Sequence, residues 1–446
     1  MEQLGKLNSV METETIQKNE ANLKSQMSKG KKTHRLILLF VMISGFIFTS
    51  CENVSDDNND VVQAKTIRYV KLNGTGDGSS WANAAGDIQT MVDASESGEH
   101  VWIASGTYLL SATLQMKEGV NVYGGFAGNE SNINQRAKSD LNENGIVEAW
   151  EFTNATILDG RNARRVLNQA NSFETETTWD GVTITKGKSD NGCSGAYISA
   201  NGKLNNCIVT QNASGSWGAG IFNNGGVVNN CSVHGNTILS SQAGRIATTH
   251  NAGGAGIYNA GTVSNCMIFD NYCYSYGGLG GRSYGGGIYN KGIVNTCCIY
   301  NNVADGSPTM VGSYESRGGG IYNAGTASEK AYVYCSTILN NGSSSMNGNY
   351  DYNSDPNYNF AYNCITGGSK AILEQNFIRP TSFAGEAKND AQRAELLRAN
   401  WRLKQGSQYI EAGSLADLPD WIINGTDLAG NPRVSNGKIS VGAYEF

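Results

Sequence analysis

Proline is scarce in this chain, 5 residues of 446, as are histidine, with 4, and charge, at 16%. So little charge excludes a long solvated helix or a coiled coil. So few histidines exclude a metal centre built on imidazole. Scarce proline beside 56 glycines excludes a Gly/Pro linker; these glycines lie among Asn, Ser and Thr, as tight-turn residues do. No basic patch is present either. Residues 51–446 carry 26 Lys and Arg against 35 Asp and Glu, a formal charge of −9, which argues against nucleic acid as a partner. What remains is an all-β composition in a chain too long for one ordinary compact core. A solenoid escapes that limit because each repeat buries its face on its neighbours.

The first 50 residues differ from the rest. A basic cluster (Lys29, Lys31, Lys32, His34, Arg35) precedes an apolar run from Leu36 to Thr49. That run is too short for a ~30 Å hydrocarbon core but suits a signal-peptide core. Residues 1–50 are read as a signal peptide, with Met27 an alternative start. Thr49-Ser50-Cys51 resembles a lipobox, with Phe48 where Leu is more usual, so Cys51 is the expected lipidation site. An ordinary secretory signal with a coincidental cysteine is the alternative. Residues 51–65 begin Glu52-Asn53-Val54-Ser55-Asp56-Asp57 and read as an acidic, unstructured tether. The tether is similar to the export signal that places some Gram-negative lipoproteins on the outer face of the outer membrane; a plain periplasmic spacer is the other reading. No later apolar stretch is long enough to cross a membrane.

From residue ~190 to 370 the chain repeats itself. Gly220-Ile221-Phe222-Asn223 precedes Asn230-Cys231-Ser232-Val233, and the same pattern returns at Gly256-Ile257-Tyr258-Asn259, Gly287-Ile288-Tyr289-Asn290 and Gly320-Ile321-Tyr322-Asn323. Stacked as parallel coils ~4.8 Å apart, these units put Cys207, Cys231, Cys266, Cys297, Cys335 and Cys364 in one interior column. Val209, Val233, Ile268 and Ile299 form the next column. Asn212, Asn236, Asn271, Asn302 and Asn340 then form an amide ladder. Thiols sharing one repeat position are expected to stay free, as small apolar groups; Cys193, Cys273 and Cys298 are left open. Towards the N-terminus, 66–70, 101–104, 120–123 and 182–185 read as strands. Residues 87–95, with Ile88, Met91 and Val92 on one face, read as a helix capping the open end. The expected fold is therefore a single-stranded right-handed parallel β-helix of three sheets over residues 66–446, with its N-terminal cap in 66–110.

Several segments resemble the pectin-lyase-like β-helix superfamily, in particular its exported bacterial members: 76–84, Gly106-Thr107-Tyr108, Tyr123-Gly124-Gly125-Phe126 and Thr156-Ile157-Leu158-Asp159-Gly160. Residues 427–433 and 441–445, within 400–446, are similar to the choice-of-anchor Q ending. Gln408 and Glu411 stand where that family usually has Pro and Asp. The resemblance implies a fold; the fold itself hosts lyases, hydrolases, adhesins and proteins without known chemistry.

The coils are longer than three strands and tight turns require, and the surplus falls at 237–253, 272–284, 303–317 and 341–360. Insertions at one repeat position are expected to stack on one side as a binding face. They contain Tyr272, Tyr274, Tyr276, Tyr284, Tyr314, Tyr350, Tyr352 and Asp351, side chains suited to the C–H faces and hydroxyls of sugars, although loop-rich chains favour Tyr in any case. The expected partner is thus a polysaccharide or cell-surface glycan, bound by a surface lipoprotein or adhesin. The alternative is a lyase or hydrolase acting on an acidic glycan. For that chemistry only Arg245, His250, Arg282, Glu315 and Arg317 are available as candidate catalytic groups, and no compact catalytic motif is present. One further stretch fits the spacing of an EF-hand loop: Asp140, Asn142, Asn144, the Ile146 carbonyl, Glu148 and Glu151, with Gly145 at the sixth position. It predicts a structural Ca²⁺ site of low charge; an Asn/Gly-rich turn of the same spacing is the alternative.

Overall fold

The computed structural model describes residues 66–241, 250–277, 281–308, 315–344, 348–352 and 356–446. The signal peptide, Cys51, the tether, Arg245 and Tyr314 lie outside the described residues. For His250 and Tyr352 only the backbone is described.

Three long parallel sheets, of ten, eight and eight strands, form the body of a parallel β-helix. It is right-handed, as parallel crossovers are. Each coil contributes a strand to every sheet. Ile221–Asn224 lies in sheet C, Val227–Asn229 in sheet A and Ser232–His234 in sheet B, before Ile257–Asn259 re-enters sheet C in register with Ile221. Strand residues alternate between faces, so Ile221, Val228 and Val233 all point inward and are fully buried. The helix Ile88–Ala94 is capped by Asp87, which accepts from the Thr90 N–H, and buries Ile88, Met91 and Val92. These three join the main core at its N-terminal end.

The cysteine column is real from Cys207 through Cys231 and Cys266 to Cys297, and all nine described cysteines are free thiols. One member of the expected column is corrected. Cys335 sits at the left-handed corner (φ 45°) that Asn230, Asn265 and Thr296 occupy in earlier coils. Ser336 takes the column position and accepts from the Cys297 N–H at 3.1 Å. The same one-residue slip moves the ladder: Asn341, not Asn340, receives the Asn302 amide at 3.0 Å. A second ladder was not anticipated. Asn223, Asn259, Asn290 and Asn323 donate each to the next at 2.8–2.9 Å, and Asn323 donates to the Tyr350 hydroxyl at 3.0 Å.

Sheet B does not face water along its whole length. From Lys370 onward the chain leaves the solenoid and lays two short helices, Lys370–Asn376 and Asp390–Leu397, and an antiparallel pair, Phe377–Arg379 with Asn400–Leu403, over that face; a third helix, Asp420–Ile423, packs instead against Tyr334 of sheet A. Phe269, Tyr300 and Leu339, the outward residues of three successive coils, are buried there with Phe377, Leu396 and Trp401.

Candidate functional site

The described parts of the insertions at 237–253, 272–284 and 303–317 are strands of two further sheets. Thr237–Ser241, Tyr272–Gly277 and Val303–Pro308 stack in parallel within a six-stranded sheet D, and His250–Gly253, Gly281–Tyr284 and Glu315–Arg317 stack as a three-stranded sheet E. D and E pack face to face as a wing on the solenoid. Their shared interior is lined by small buried groups: Ala219, Ile238, Ala252, Cys273, Ser275 and Ser283. The Ser283 hydroxyl crosses it to the Asp305 carbonyl at 2.5 Å. Gly281 is required at this approach, since a Cβ would come within 2.0 Å of the Ser275 carbonyl oxygen.

This construction corrects the expectation of one common face, because the outward residues of D and E lie on opposite sides of the wing. On sheet D, Tyr272, Tyr274 and Tyr276 alternate with buried Cys273 and Ser275, so all three tyrosines point outward from one strand. The Tyr272 and Tyr274 rings are parallel within 8° with centroids 6.2 Å apart. The Tyr272 hydroxyl donates to Asp305 Oδ2 at 3.2 Å; burial and that carboxylate both raise its pKa.

Sheet E brings together Arg282, Tyr284, Glu315 and Arg317. Glu315 lies between the two guanidinium groups, at 2.6 Å from Arg317 Nε and 3.6 Å from Arg282 Nε, and also accepts from the Tyr284 hydroxyl at 3.0 Å. A carboxylate ion-paired with two guanidinium groups and hydrogen-bonded by one hydroxyl is a positioned charge, not a general base poised over a substrate. The His250 backbone pairs with Gly281 in this sheet. Tyr350 does not belong to any outer face. It takes the interior position of Ile321 one coil on and packs against the core. Asp351 follows Tyr322 on the outer side of sheet C and is 8% exposed, and the backbone of Tyr352 pairs with that of Asn323.

Sequence reading passed over the outward residue of the Gly-Ile-Tyr-Asn repeat. Tyr197, Phe222, Tyr258, Tyr289 and Tyr322 form a continuous stack on sheet C, with centroids 4.3–5.6 Å apart. Alternation alone locates them, one residue after buried Ala196 and then after each buried Ile. Their ring faces are taken up by one another, so this ladder stabilises the sheet and presents mainly ring edges.

A groove runs along the corner between sheets B and D. Each coil turns this corner with one left-handed residue: Gln211, Gly235, Asp270, Asn301 and Asn340 have φ of 52–62°. The side chains of the last three hold the chain's own segment 381–387. Asn340 donates to Thr381 Oγ1 at 2.8 Å, Asn301 to the Gly385 carbonyl at 2.9 Å, and Asp270 accepts from the Ala387 N–H at 3.0 Å. The segment then turns into the helix Asp390–Leu397, capped by Asn389. At Gln211 and Gly235 the groove is left open as a pocket of about 390 Å³. Phe269, Tyr272 and Leu396 give it apolar walls; Thr210, His234, Asp270, Glu386 and Arg393 give it polar groups. The His234 ring stacks on Phe269 at 4.7 Å and pairs with the Thr210 hydroxyl at 3.1 Å. Burial holds its pKa down to about 4 and pushes the Asp270 carboxyl up to about 6. His234 points outward from sheet B, beneath the C-terminal region.

The segment 140–151 adopts a closed loop. Asp140 accepts from the N–H groups of Asn144 and Gly145, and Glu151 from those of Leu141, Asn142 and Glu148. Gly145, at φ 87°, sits where the loop spacing calls for glycine. Glu148 and Glu151 are both buried. Burial and the neighbouring Glu151 push the Glu148 carboxyl up to about 8. Among the described residues no group of three or more His, Cys, Asp and Glu is gathered for a metal ion. The oxygen set here reaches six only with the two asparagines and the Ile146 carbonyl. In kind, these donors and the two adjacent buried carboxylates fit a hard cation.

No protein-family profile matches the chain, and no curated protein matches it. Among solved structures it is similar to one described as the crystal structure of pectate lyase Pel9A. The identity is 15% and the TM-score 0.41, over 85% of this chain and 96% of that one.

Proposed function

We propose that this chain is a saccharide-binding β-helix whose site is the corner pocket together with the tyrosine row of sheet D. The observation that carries this reading is Tyr272, which both lines the pocket and begins the row Tyr272, Tyr274, Tyr276. A concave, partly apolar pocket with a few convergent polar groups is the common form of a small-ligand site. Outward tyrosines beside it supply rings and hydroxyls along which a chain of sugars extends. The proposal includes presentation from the cell surface, with lipid on Cys51 and residues 51–65 as a spacer. It also includes Ca²⁺ held by the 140–151 loop through Asp140, Asn142, Asn144, Ile146, Glu148 and Glu151. The cation there neutralises buried carboxylates and takes no part in binding glycan.

The decisive test is binding of the full mature chain to an array of neutral and acidic glycans, followed by titration of any hit against Tyr274→Ala. Binding weakened by that substitution supports the site, and an array without a hit removes the proposal. A parallel assay for released reducing or unsaturated ends decides whether binding leads to cleavage. The ion-paired Arg282–Glu315–Arg317 group leads us to expect none.

A further inference from the structure

The corner pocket has a charge and a shape that select among saccharides. Its ionisable lining groups are Asp270, Glu386, Arg393 and His234. Glu386 pairs with Lys388 at 2.7 Å and Arg393 with Asp390 at 3.3 Å. The local balance is therefore three carboxylates against two cations, with the imidazole neutral near pH 7. Both guanidinium and ammonium are already committed to carboxylates of the C-terminal region. A ligand carboxylate entering here meets net negative charge and finds no unpaired cation.

The environment already resists one negative charge. Asp270 has the Ala387 N–H as a partner, yet its carboxyl is held above the ordinary range because the corner buries it. A second carboxylate in the same space faces the same desolvation plus repulsion. Neutral hydroxyls face neither. They donate to Asp270 and Glu386 and accept from Thr210 and Gln211, which a carboxylate cannot do on the donor side. The ring stack supplies the apolar component: Tyr300, Phe269 and His234 succeed one another at 4.7–4.9 Å, and the stack ends at His234 because the next coil offers Thr210.

The pocket is also closed at one end. Segment 381–387 fills the groove from Asn340 to Asp270, so a ligand chain cannot run through along the corner. At about 390 Å³ the space lies near the lower limit of ordinary ligand pockets, ~300–1,000 Å³. It suits the end of a chain, with the remainder leaving over Tyr272 towards Tyr274 and Tyr276.

We infer that the pocket is an end-recognition subsite for a neutral, hydroxyl-rich sugar ring, and that it discriminates against uronate-terminated chains. This rests on the saccharide-binding reading above.

The test is titration of the full mature chain with oligosaccharide pairs identical except for a terminal hexose or the corresponding uronic acid. Two variants locate the effect. Gly235→Asn fills the pocket without disturbing the fold: φ there is 62°, a Cβ would meet only Thr210 Oγ1 at 3.5 Å, and Asn stands at the same corner two and three coils on. Asp270→Asn keeps an acceptor for the Ala387 N–H and removes one negative charge. The inference expects at least tenfold preference for the hexose terminus, loss of that preference in Gly235→Asn, and a reduced preference in Asp270→Asn. Equal or tighter binding of the uronate terminus, or a preference indifferent to both variants, overturns the inference and leaves saccharide binding standing. Absence of binding to every glycan removes both.

Discussion

The Asn271 side chain donates to Asn302 Oδ1 at 2.8 Å, and the same nitrogen reaches the carbonyls of Val233 and Phe269 at 2.9 and 3.0 Å. In the other direction Asn271 Oδ1 accepts from the backbone and side-chain nitrogens of Asn236. One 1%-exposed amide thus satisfies buried groups in three coils. Asn271→Leu removes all of these bonds and leaves the buried Asn236 N–H without its acceptor, although Asn302 Oδ1 keeps the residue-271 backbone N–H. The expected loss is at least ~3 kcal/mol, since each buried unpaired group costs ~1–3 kcal/mol. Asn340→Gly, outside the ladder, keeps the left-handed corner and costs about 1 kcal/mol. Denaturant titration of the two variants orders them; equal losses would show that the ladder adds nothing beyond single hydrogen bonds.

The free thiols make a separate prediction. Cys231 donates its N–H to Cys266 Sγ at 3.4 Å, and Cys297 donates to Ser336 Oγ at 3.1 Å in the corresponding place. The chain itself therefore uses serine at that position, and Cys297→Ser is expected to cost only about 1–2 kcal/mol. Alkylation of the folded protein should leave Cys207, Cys231, Cys266 and Cys297 unmodified, and all should react after unfolding. A reducing agent that shifts electrophoretic mobility would contradict the free-thiol assignment.

Tyr274→Ala and Tyr276→Ala remove outward rings from a strand whose buried side is unchanged. Each should weaken glycan binding about tenfold, which is ~1.4 kcal/mol, with the unfolding midpoint unmoved. A drop in stability that accounts for the affinity loss would assign these rings to packing instead.

Calcium should raise the melting temperature of chelator-treated protein, because a ligand bound only to the folded state stabilises it by RT ln(1 + [L]/Kd), ~2.7 kcal/mol at a hundredfold excess over Kd. Magnesium, which demands six close octahedral oxygens, should do less. The loop also anchors the C-terminal region, through Asn400 to the Asn144 carbonyl at 2.8 Å and Arg402 to the Gly145 carbonyl at 3.1 Å. Limited proteolysis around 380–410 should therefore slow with calcium. A Glu151→Ala protein that responds to calcium as the parent does would place the ion elsewhere.

His234 makes stability depend on pH. Its pKa falls from an ordinary 6.5 to about 4 on burial, so between those values the unfolded chain binds the proton and the folded chain does not. Stability is full above pH 6.5 and is lost as pH falls towards 4. His234→Phe extends the ring stack with Phe269 and carries no proton. It should lose less stability between pH 7 and 4.5, by about 1–2 kcal/mol. Parallel curves for the two proteins would remove His234 as the cause.

Much of the fold could be read beforehand because a parallel solenoid turns sequence period into spatial stacking. Any residue type recurring one coil apart must lie above its copy. Cys231 and Cys266, Val233 and Ile268, and Asn236 and Asn271 were placed in that way. The coil from Cys335 was misread by one residue for the same reason: a cysteine occurs both at its left-handed corner (Cys335) and, one coil on, in its column (Cys364), and a match on residue type alone cannot tell the two positions apart. Tyr350 was misassigned because a tyrosine among polar neighbours reads as exposed, whereas its register with Ile321 puts it inside.

Composition and repeat by themselves determined the all-β class, the parallel stacking, the free thiols and the amide ladder, since these follow from short-range alternation and from what one coil presents to the next. Tertiary structure alone decided that the insertions fold as a two-sheet wing with two outer faces, and that Asp270, His234, Glu386 and Arg393 meet in one pocket. Those four residues come from the solenoid and from a segment more than a hundred positions later. No local period encodes that approach: it is set by the apolar packing of Leu373, Phe377, Leu396 and Trp401 onto sheet B and by the corner side chains that hold residues 381–387.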